Sequence, residues 1–402
     1  MNLPIRSIPR CADCPMRHDL QAPNVIEEDL EKHMQIDAVI IGAGQAGLAT
    51  GYHLQRRGRP LLIVDGNVNV GDNWRQQWDT LRLYTPAKYD GLPGRAFPGE
   101  PWSFPGKEQV ADYLETYASR LELPIRLNTR VQRLQAQDGG YLVTTNGDEI
   151  EAHNVVIATG TFGRTPYVPE FADQLDPSIL QLHSSEYRRP DQLRPGHVLV
   201  VGASHSGTDI AYELAAQHAM TLAGRDCGEI PIRLTSRRAR VVLPIMLFMA
   251  QHLLTRRTAI GRKEMREVRF HGGPMLRVKR ADLAERGVVR TTSRVVGVTR
   301  GLPVLDDDTV LEVANLVWST GFQQVFDWVD LPVFDADGWP REMRGVVPDA
   351  PGLFFCGLSF QYAFSSMVLP GVGRDAEYLA RKIVARREKG AAALAVSRHG
   401  MH

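Results

Sequence analysis

The sequence predicts an α/β fold of two doubly wound, Rossmann-like domains, one inserted into the other. Three observations predict it. The first is an apolar run, Ile36 to Ile41, that stops at Gly42; a helical pattern follows from about Gly47 to Gly58, and a second apolar run, Leu61 to Val64, ends at Asp65. That order is strand, tight turn, helix, strand. The second is its return 160 residues later: a strand from His197 to Val201, a turn from Gly202 to Gly207, a helix from Ser206 to His218 and a strand to about Ala223. Each unit is able to start a parallel sheet. The third is a pair of apolar strands closed by Thr-Gly: Val155 to Ala158 before Thr159 and Gly160, and Leu316 to Ser319 before Thr320 and Gly321. The chain is expected to cross between domains just after each. This divides it into a first domain at 1–162, an inserted one at 163–321 and a return to the first at 322–402.

Composition is consistent with that class. The chain has 402 residues, 43% hydrophobic and 23% charged, with 47 basic against 46 acidic side chains. A net charge of +1 sets up no global field toward nucleic acid or an anionic membrane. The start, MNLPIRSIPR, lacks the apolar core of a signal peptide. The longest apolar stretch, Val241 to Leu254, is too short to span a bilayer and contains Pro244 and His252. It is expected to be a buried helix or one lining a cavity, and no stable membrane insertion is expected. Four cysteines do not make a disulfide framework, and the cytoplasm is the expected setting.

Residues 1–34 read as an extension. Cys11 and Cys14 form a CxxC, with His18 and His33 nearby. Redox and zinc readings exist, but one CxxC falls short of a structural zinc set unless His18 and His33 complete it, and an inert extension with no metal is expected. Leu92 to Pro105, rich in Gly and Pro, is a loop. Residues 226–290 are basic and apolar and are expected to fold over the cleft. Ala392 to His402 read as a frayed tail.

The turns carry the chemistry. Gly42-Ala43-Gly44-Gln45-Ala46-Gly47 fits GxGxxG: the first glycine permits the turn, the second lets backbone approach a pyrophosphate, and the third lets helix and strand pack closely. The helix N-terminus adds free N–H groups and positive partial charge. The second copy, Gly202-Ala203-Ser204-His205-Ser206-Gly207, has a serine at the middle position, small enough to preserve close approach. Asp65 lies 23 residues after Gly42, and Arg225 lies 23 residues after Gly202. Both should stand at the tip of the second strand, facing an adenosine ribose. A carboxylate there accepts from ribose hydroxyls and repels a 2′-phosphate, whereas an arginine pairs with one. The spacing therefore points to an unphosphorylated ribose at the first site and NADPH at the second. A solvated loop charge is the bland alternative for Arg225, and Arg237 or Arg238 are alternative phosphate partners.

These residues resemble the class B flavin monooxygenases: the flavin-containing monooxygenases, the Baeyer–Villiger enzymes and the plant auxin-forming monooxygenases. The resemblance covers about Ile36 to Ala385 and is closest to short bacterial members. Gly71-Asp72-Asn73-Trp74 looks like the family's GGxW segment, with Asp72 replacing the second glycine and Trp74 near the flavin ring. Tyr84 departs from an asparagine common there and receives no chemical role. The segments ending Thr159-Gly160 and Thr320-Gly321 resemble the family's two linkers. Of its fingerprint FxGxxxHxxxF/W/Y, only His183 and Tyr187 survive, and His183 is read as an organising residue rather than a base. Gly352 to Gly357 resembles the strand closing the FAD domain, with Leu358 where many relatives outside the oxygenases carry aspartate. Gly371 to Ala376, including Gly373, opens the last helix toward the flavin. Leu81 and Val131 complete the implied cofactor contacts.

The resemblance implies FAD at the first site, hydride transfer from NADPH, and a flavin C4a-(hydro)peroxide. That species gives one oxygen atom of O₂ to sulfur, nitrogen or carbonyl carbon of a small molecule. No catalytic acid–base residue is assigned, and a homodimer is left open. A flavin or disulfide reductase without oxygen transfer, and a nucleotide-binding regulator, are the competing classes.

Overall fold

A computed structural model describes residues 36–161 and 165–399. Cys11, Cys14, His18, His33 and the rest of the extension lie outside the described residues.

Two sheets organise the chain. The first is built on strand β1 (Ile36–Ile41), every residue of which is buried, as its unbroken apolar run requires. Helix α1 (Gln45–Gln55) follows and leads to β2 (Leu61–Val64), parallel to β1. After helix α2 (Lys107–Arg120) come β3 (Ile125–Arg126), β4 (Val131–Gln137), β5 (Gly140–Thr145) and β6 (Glu149–Ile157). Strand β6 pairs with β5 antiparallel through its first half and with β1 in parallel, Ile41 opposite Ile157. The second sheet is all parallel and comes from β7 (Leu180–His183), β8 (Val198–Val201), β9 (Met220–Ala223), β10 (Val289–Thr291) and β11 (Asn315–Trp318), in the order β10-β9-β8-β11-β7. Helix α3 (His205–Leu214) joins β8 to β9. The chain then rejoins the first sheet: β12 (Val329–Asp330) pairs with β4, and β13 (Leu353–Phe355) with the second half of β6. Both units of strand, glycine turn, helix and strand are therefore present.

Three expectations need correction. Helices α1 and α3 start at Gln45 and His205, earlier than the apolar pattern indicates, because Gly44 and Ser204 are extended and act as the capping positions. The last helix, here α6 (Leu369–His399), extends to His399 within the stretch read as a frayed tail, whose start is rich in alanine, the best helix former. Helix α4 (Ala239–His252) is not buried all round: Ala239, Leu243 and Ala250 face inward, while Val241, Ile245 and Phe248 are exposed.

The segment 226–290 does fold across the rest of the chain. It carries α4 and helix α5 (Ala259–Phe270) from the second sheet to the returning part of the first. Arg256 ion-pairs with buried Glu342, and its backbone N–H donates to Tyr362 at 2.8 Å. Gln251 donates to the Pro370 carbonyl at 3.0 Å, and Arg374 donates to the Gln251 carbonyl at 2.7 Å.

Candidate functional site

The two glycine turns have the same build. Gly42 and Gly202 hold φ of 112° and 105°, which only glycine adopts without strain. Gly42 N–H donates to Val64 and Gly202 N–H to Ala223, each at 2.8 Å. A Cβ on Gly47 would stand 1.8 Å from the Gly42 carbonyl oxygen, and one on Gly207 1.7 Å from that of Gly202. Each turn also rests on its own Thr-Gly segment. Ala158 N–H donates to Ile41 at 2.8 Å, and Ser319 N–H to Val201 at 2.7 Å. Thr159 and Gly160 follow the first, Thr320 and Gly321 the second, with open space beside both glycines. The sequence reading thus placed these residues at equivalent points of two repeats.

The first turn is clamped and open. Asp65 Oδ2 accepts from Ala43 N–H at 2.6 Å and Oδ1 from Asn67 N–H at 2.8 Å. A carboxylate has lone pairs to spare for ribose hydroxyls beside these bonds. A Cβ on Gly44 would meet nothing within 4 Å, the free space a pyrophosphate needs. Gln45 Nε2 donates to the Met367 carbonyl at 2.8 Å, and Gly357 lacks a Cβ that would stand 2.7 Å from Ala46. The head of α6 is thereby held against the turn. Between Gly357 and that helix, Ser359 Oγ and Ser365 Oγ are buried with no hydrogen-bond partner among the described residues. An open cradle, helix N–H groups and orphaned hydroxyls fit a flavin dinucleotide.

Other expected contacts fall less directly. Val131 opens β4, two residues after Thr129, whose N–H donates to the Asp65 carbonyl at 2.8 Å. Trp74 packs against both the first core and the core of the second sheet. The Leu81 side chain is buried with Trp78, Tyr187 and Val198 in the second core, since an apolar side chain next to that cluster gains most by joining it. Gly373 makes room for Pro93, whose Cγ would lie 2.6 Å from a Cβ there, so its absent side chain serves helix–loop packing.

The second turn is covered. Ser204 Oγ donates to the Gly273 carbonyl at 3.0 Å, and Cβ atoms on Gly272 and Gly273 would strike Ser204 and the His205 ring at 2.6 and 2.8 Å. Only glycines let the 226–290 segment lie so close. Ser206 stands in the first turn of α3. His205 Nε2 and Ser319 Oγ are buried without hydrogen-bond partners among the described residues. Burial pulls the His205 pKa down to about 4, so the ring is neutral. At the strand tip, Arg290 donates to the carbonyls of Leu222 and Gly224 at 3.1 and 2.6 Å, and Arg280 pairs with Asp226 at 2.6 Å. Arg225 itself is exposed, and its guanidinium makes no bond among the described residues. Arg237 and Arg238 are exposed at the head of α4.

A polar cluster that sequence reading missed joins the two halves. Tyr84 OH donates to Asp209 Oδ2 at 3.1 Å, Arg277 pairs with the same oxygen at 3.0 Å, and the Tyr84 and His205 rings are 5.4 Å apart. Burial raises the Tyr84 pKa well above its ordinary value. It also raises that of Asp209, against the pull of Arg277. The available signal was an acid on the buried face of the helix after the second turn. His183 is likewise buried; its Nε2 lies 3.0 Å from the Gly321 carbonyl and its Nδ1 2.8 Å from Ser185 Oγ. Burial lowers its pKa, which suits a hydrogen-bonded neutral ring at the returning linker. Of the described cysteines, Cys356 is buried with its thiol pushed up to about 12, and Cys227 is free in the 226–290 segment. Burial makes the Cys356 thiol a structural group rather than a reactive thiolate.

Comparison with known proteins bears on the same site. Residues 39–241 match the family model described as pyridine nucleotide-disulphide oxidoreductase. An uncharacterized CzcO-like oxidoreductase of Geobacillus kaustophilus is 36% identical over 351 residues, 87% of this chain and 98% of that protein. A probable indole-3-pyruvate monooxygenase of Arabidopsis thaliana is 26% identical, covering 86% of this chain and 88% of its own. Among solved structures, a mutant flavin monooxygenase from Stenotrophomonas maltophilia aligns with a TM-score of 0.71 and 25% identity, over 87% of this chain and 98% of that one.

Proposed function

The chain belongs to the pyridine nucleotide-disulphide oxidoreductase family, and from that premise we propose that it is an FAD- and NADPH-dependent monooxygenase acting on a small organic molecule. The observation that carries the reading is one loop built twice with opposite charges at the same strand tip, Asp65 and Arg225. Kinship with flavin monooxygenases supports the oxygenase branch of an oxidoreductase family. The proposed FAD domain is 1–162 with 322–402, the NADPH domain is 163–321, and the low cysteine count favours a cytoplasmic setting.

When bound, flavin supplies hydride acceptance and reaction with O₂, which amino-acid side chains do not. The chain's residues bind, orient and exclude water. Gly42 to Gly47 and the head of α1 hold the FAD pyrophosphate, and Asp65 takes the ribose. Gly202 to Gly207 and Arg225 hold the second nucleotide, with Arg225 on its 2′-phosphate. Tyr84, Asp209 and Arg277 fix α3 against the first half, and His183 fixes the returning linker. The 226–290 segment keeps water from the junction.

Purified protein should be yellow and should consume NADPH and O₂ with formation of an oxygenated product. Sulfides, tertiary amines and ketones make the screen. Hydrogen peroxide as the sole product across that panel would move the reading to a flavin reductase.

A further inference from the structure

The outer face of α4 has no partner among the described residues. Val241, Ile245, Phe248 and Met249 recur at helical spacing on it, continued by Leu253 at the C-terminal cap, and Ile245 and Phe248 remain 56% and 59% exposed. Apolar side chains grouped this way on a surface mark an interaction site. The opposite face of the helix is the anchored one, packing through Leu243 and Met246 on Trp102, Phe104 and Tyr84.

Charge selects the occupant. Residues 237–270 hold nine basic side chains against two acidic ones, in a chain whose net charge is only +1. Arg237, Arg238 and Arg240 stand exposed at the head of α4, and Arg257, Arg262 and Lys263 beyond its end. A self-complementary contact with a second copy would set this positive patch against itself. An apolar stripe framed by arginines is instead the pattern of a helix lying flat in an anionic lipid surface. Among the described residues no helix is long and apolar enough to cross a membrane, so the contact would be peripheral.

We infer that α4 docks this protein on anionic phospholipid surfaces, with its inner face on Tyr84 linking the lipid side to the junction of the two halves. The test is co-sedimentation of the flavin-loaded protein with vesicles of phosphatidylcholine alone or mixed equally with phosphatidylglycerol. The wild type should pellet with the mixed vesicles at low salt, much less with phosphatidylcholine, and be released by salt. The double substitution Ile245→Ser with Phe248→Ser should reduce binding by about tenfold or more, since both side chains lose their apolar burial. Arg237→Glu with Arg238→Glu should remove the preference for anionic lipid. All four side chains are exposed, so retained yellow colour and circular dichroism verify folding. Wild-type protein left in the supernatant with mixed vesicles at low salt would overturn the inference. So would light scattering that shows a dimer dissociated by the serine variant while vesicles bind neither form, which would make the face a self-interface.

Discussion

The first and second glycine turns share their backbone and differ in what surrounds it. At the first, Asp65 clamps Ala43, and the space above Gly44 is open. At the second, Arg225 is unengaged, and Gly272 and Gly273 lie over Ser204 and His205. On the proposed reading, a repeated scaffold fixes where a dinucleotide would lie, while the side chain at one strand tip and the cover above the turn would decide which dinucleotide it is. The same contrast suits a resident flavin at the first turn and an exchanging nicotinamide at the second, where entry requires the cover to yield.

The strongest way to break that comparison is Gly44→Val. Its Cβ enters free space, so the fold should persist, yet the branched side chain takes the pyrophosphate's place. Flavin absorbance should fall from near stoichiometric to near nil with circular dichroism unchanged; a yellow, folded variant would refute the site.

The next largest effect is on stability against pH, where the halves should respond oppositely. Asp90, fully buried in the loop over the first core, has its pKa raised by burial from 3.8 to about 7. The unfolded chain ionises it near the lower value, the folded chain only near the higher. Its favourable contribution is therefore complete below the lower value, declines in between and is gone above about 7. The loss is on the order of 4 kcal/mol. Asp90→Asn should flatten that decline in denaturant titrations across this range. His205 behaves in reverse. Its pKa falls from 6.5 to about 4, so its contribution is present above 6.5 and is lost as pH falls through about 4. His205→Gln should reduce acid lability, and a common pH response in both variants would erase the contrast.

A smaller effect probes the junction. Tyr84→Phe removes the donor to Asp209 but leaves Arg277 in place. A loss of about 1 kcal/mol in unfolding free energy is expected, with flavin content unchanged. No change in stability would make the Tyr84–Asp209 bond incidental.

Much of this was legible in the sequence because it is local. Strand, glycine turn and helix are contiguous, and the equal spacing of Asp65 and Arg225 is a property of one unit repeated. What escaped depends on contacts between distant segments. Tyr84 meets Asp209 across 125 positions, and Ser204 meets Gly273 across 69. No periodicity encodes either meeting. Leu81 shows a related limit, since an apolar residue near a cofactor motif looks the same in sequence whether it lines a cleft or joins a core. Helix α4 looked buried because an apolar run does not say which of its faces finds a partner.

The claim that one scaffold reads two dinucleotides by opposite charges is tested most directly by giving the second turn the charge of the first. Michaelis constants for NADPH and NADH should be compared between wild type and Arg225→Asp. A charge-assisted contact of roughly 1.5–3 kcal/mol corresponds to about 10- to 150-fold at 1.4 kcal/mol per decade. Wild type should favour NADPH by about that factor, and Arg225→Asp should lose the preference by raising the NADPH constant while that for NADH stays or falls. Equal losses with both nucleotides, or a wild-type preference for NADH, would contradict the account.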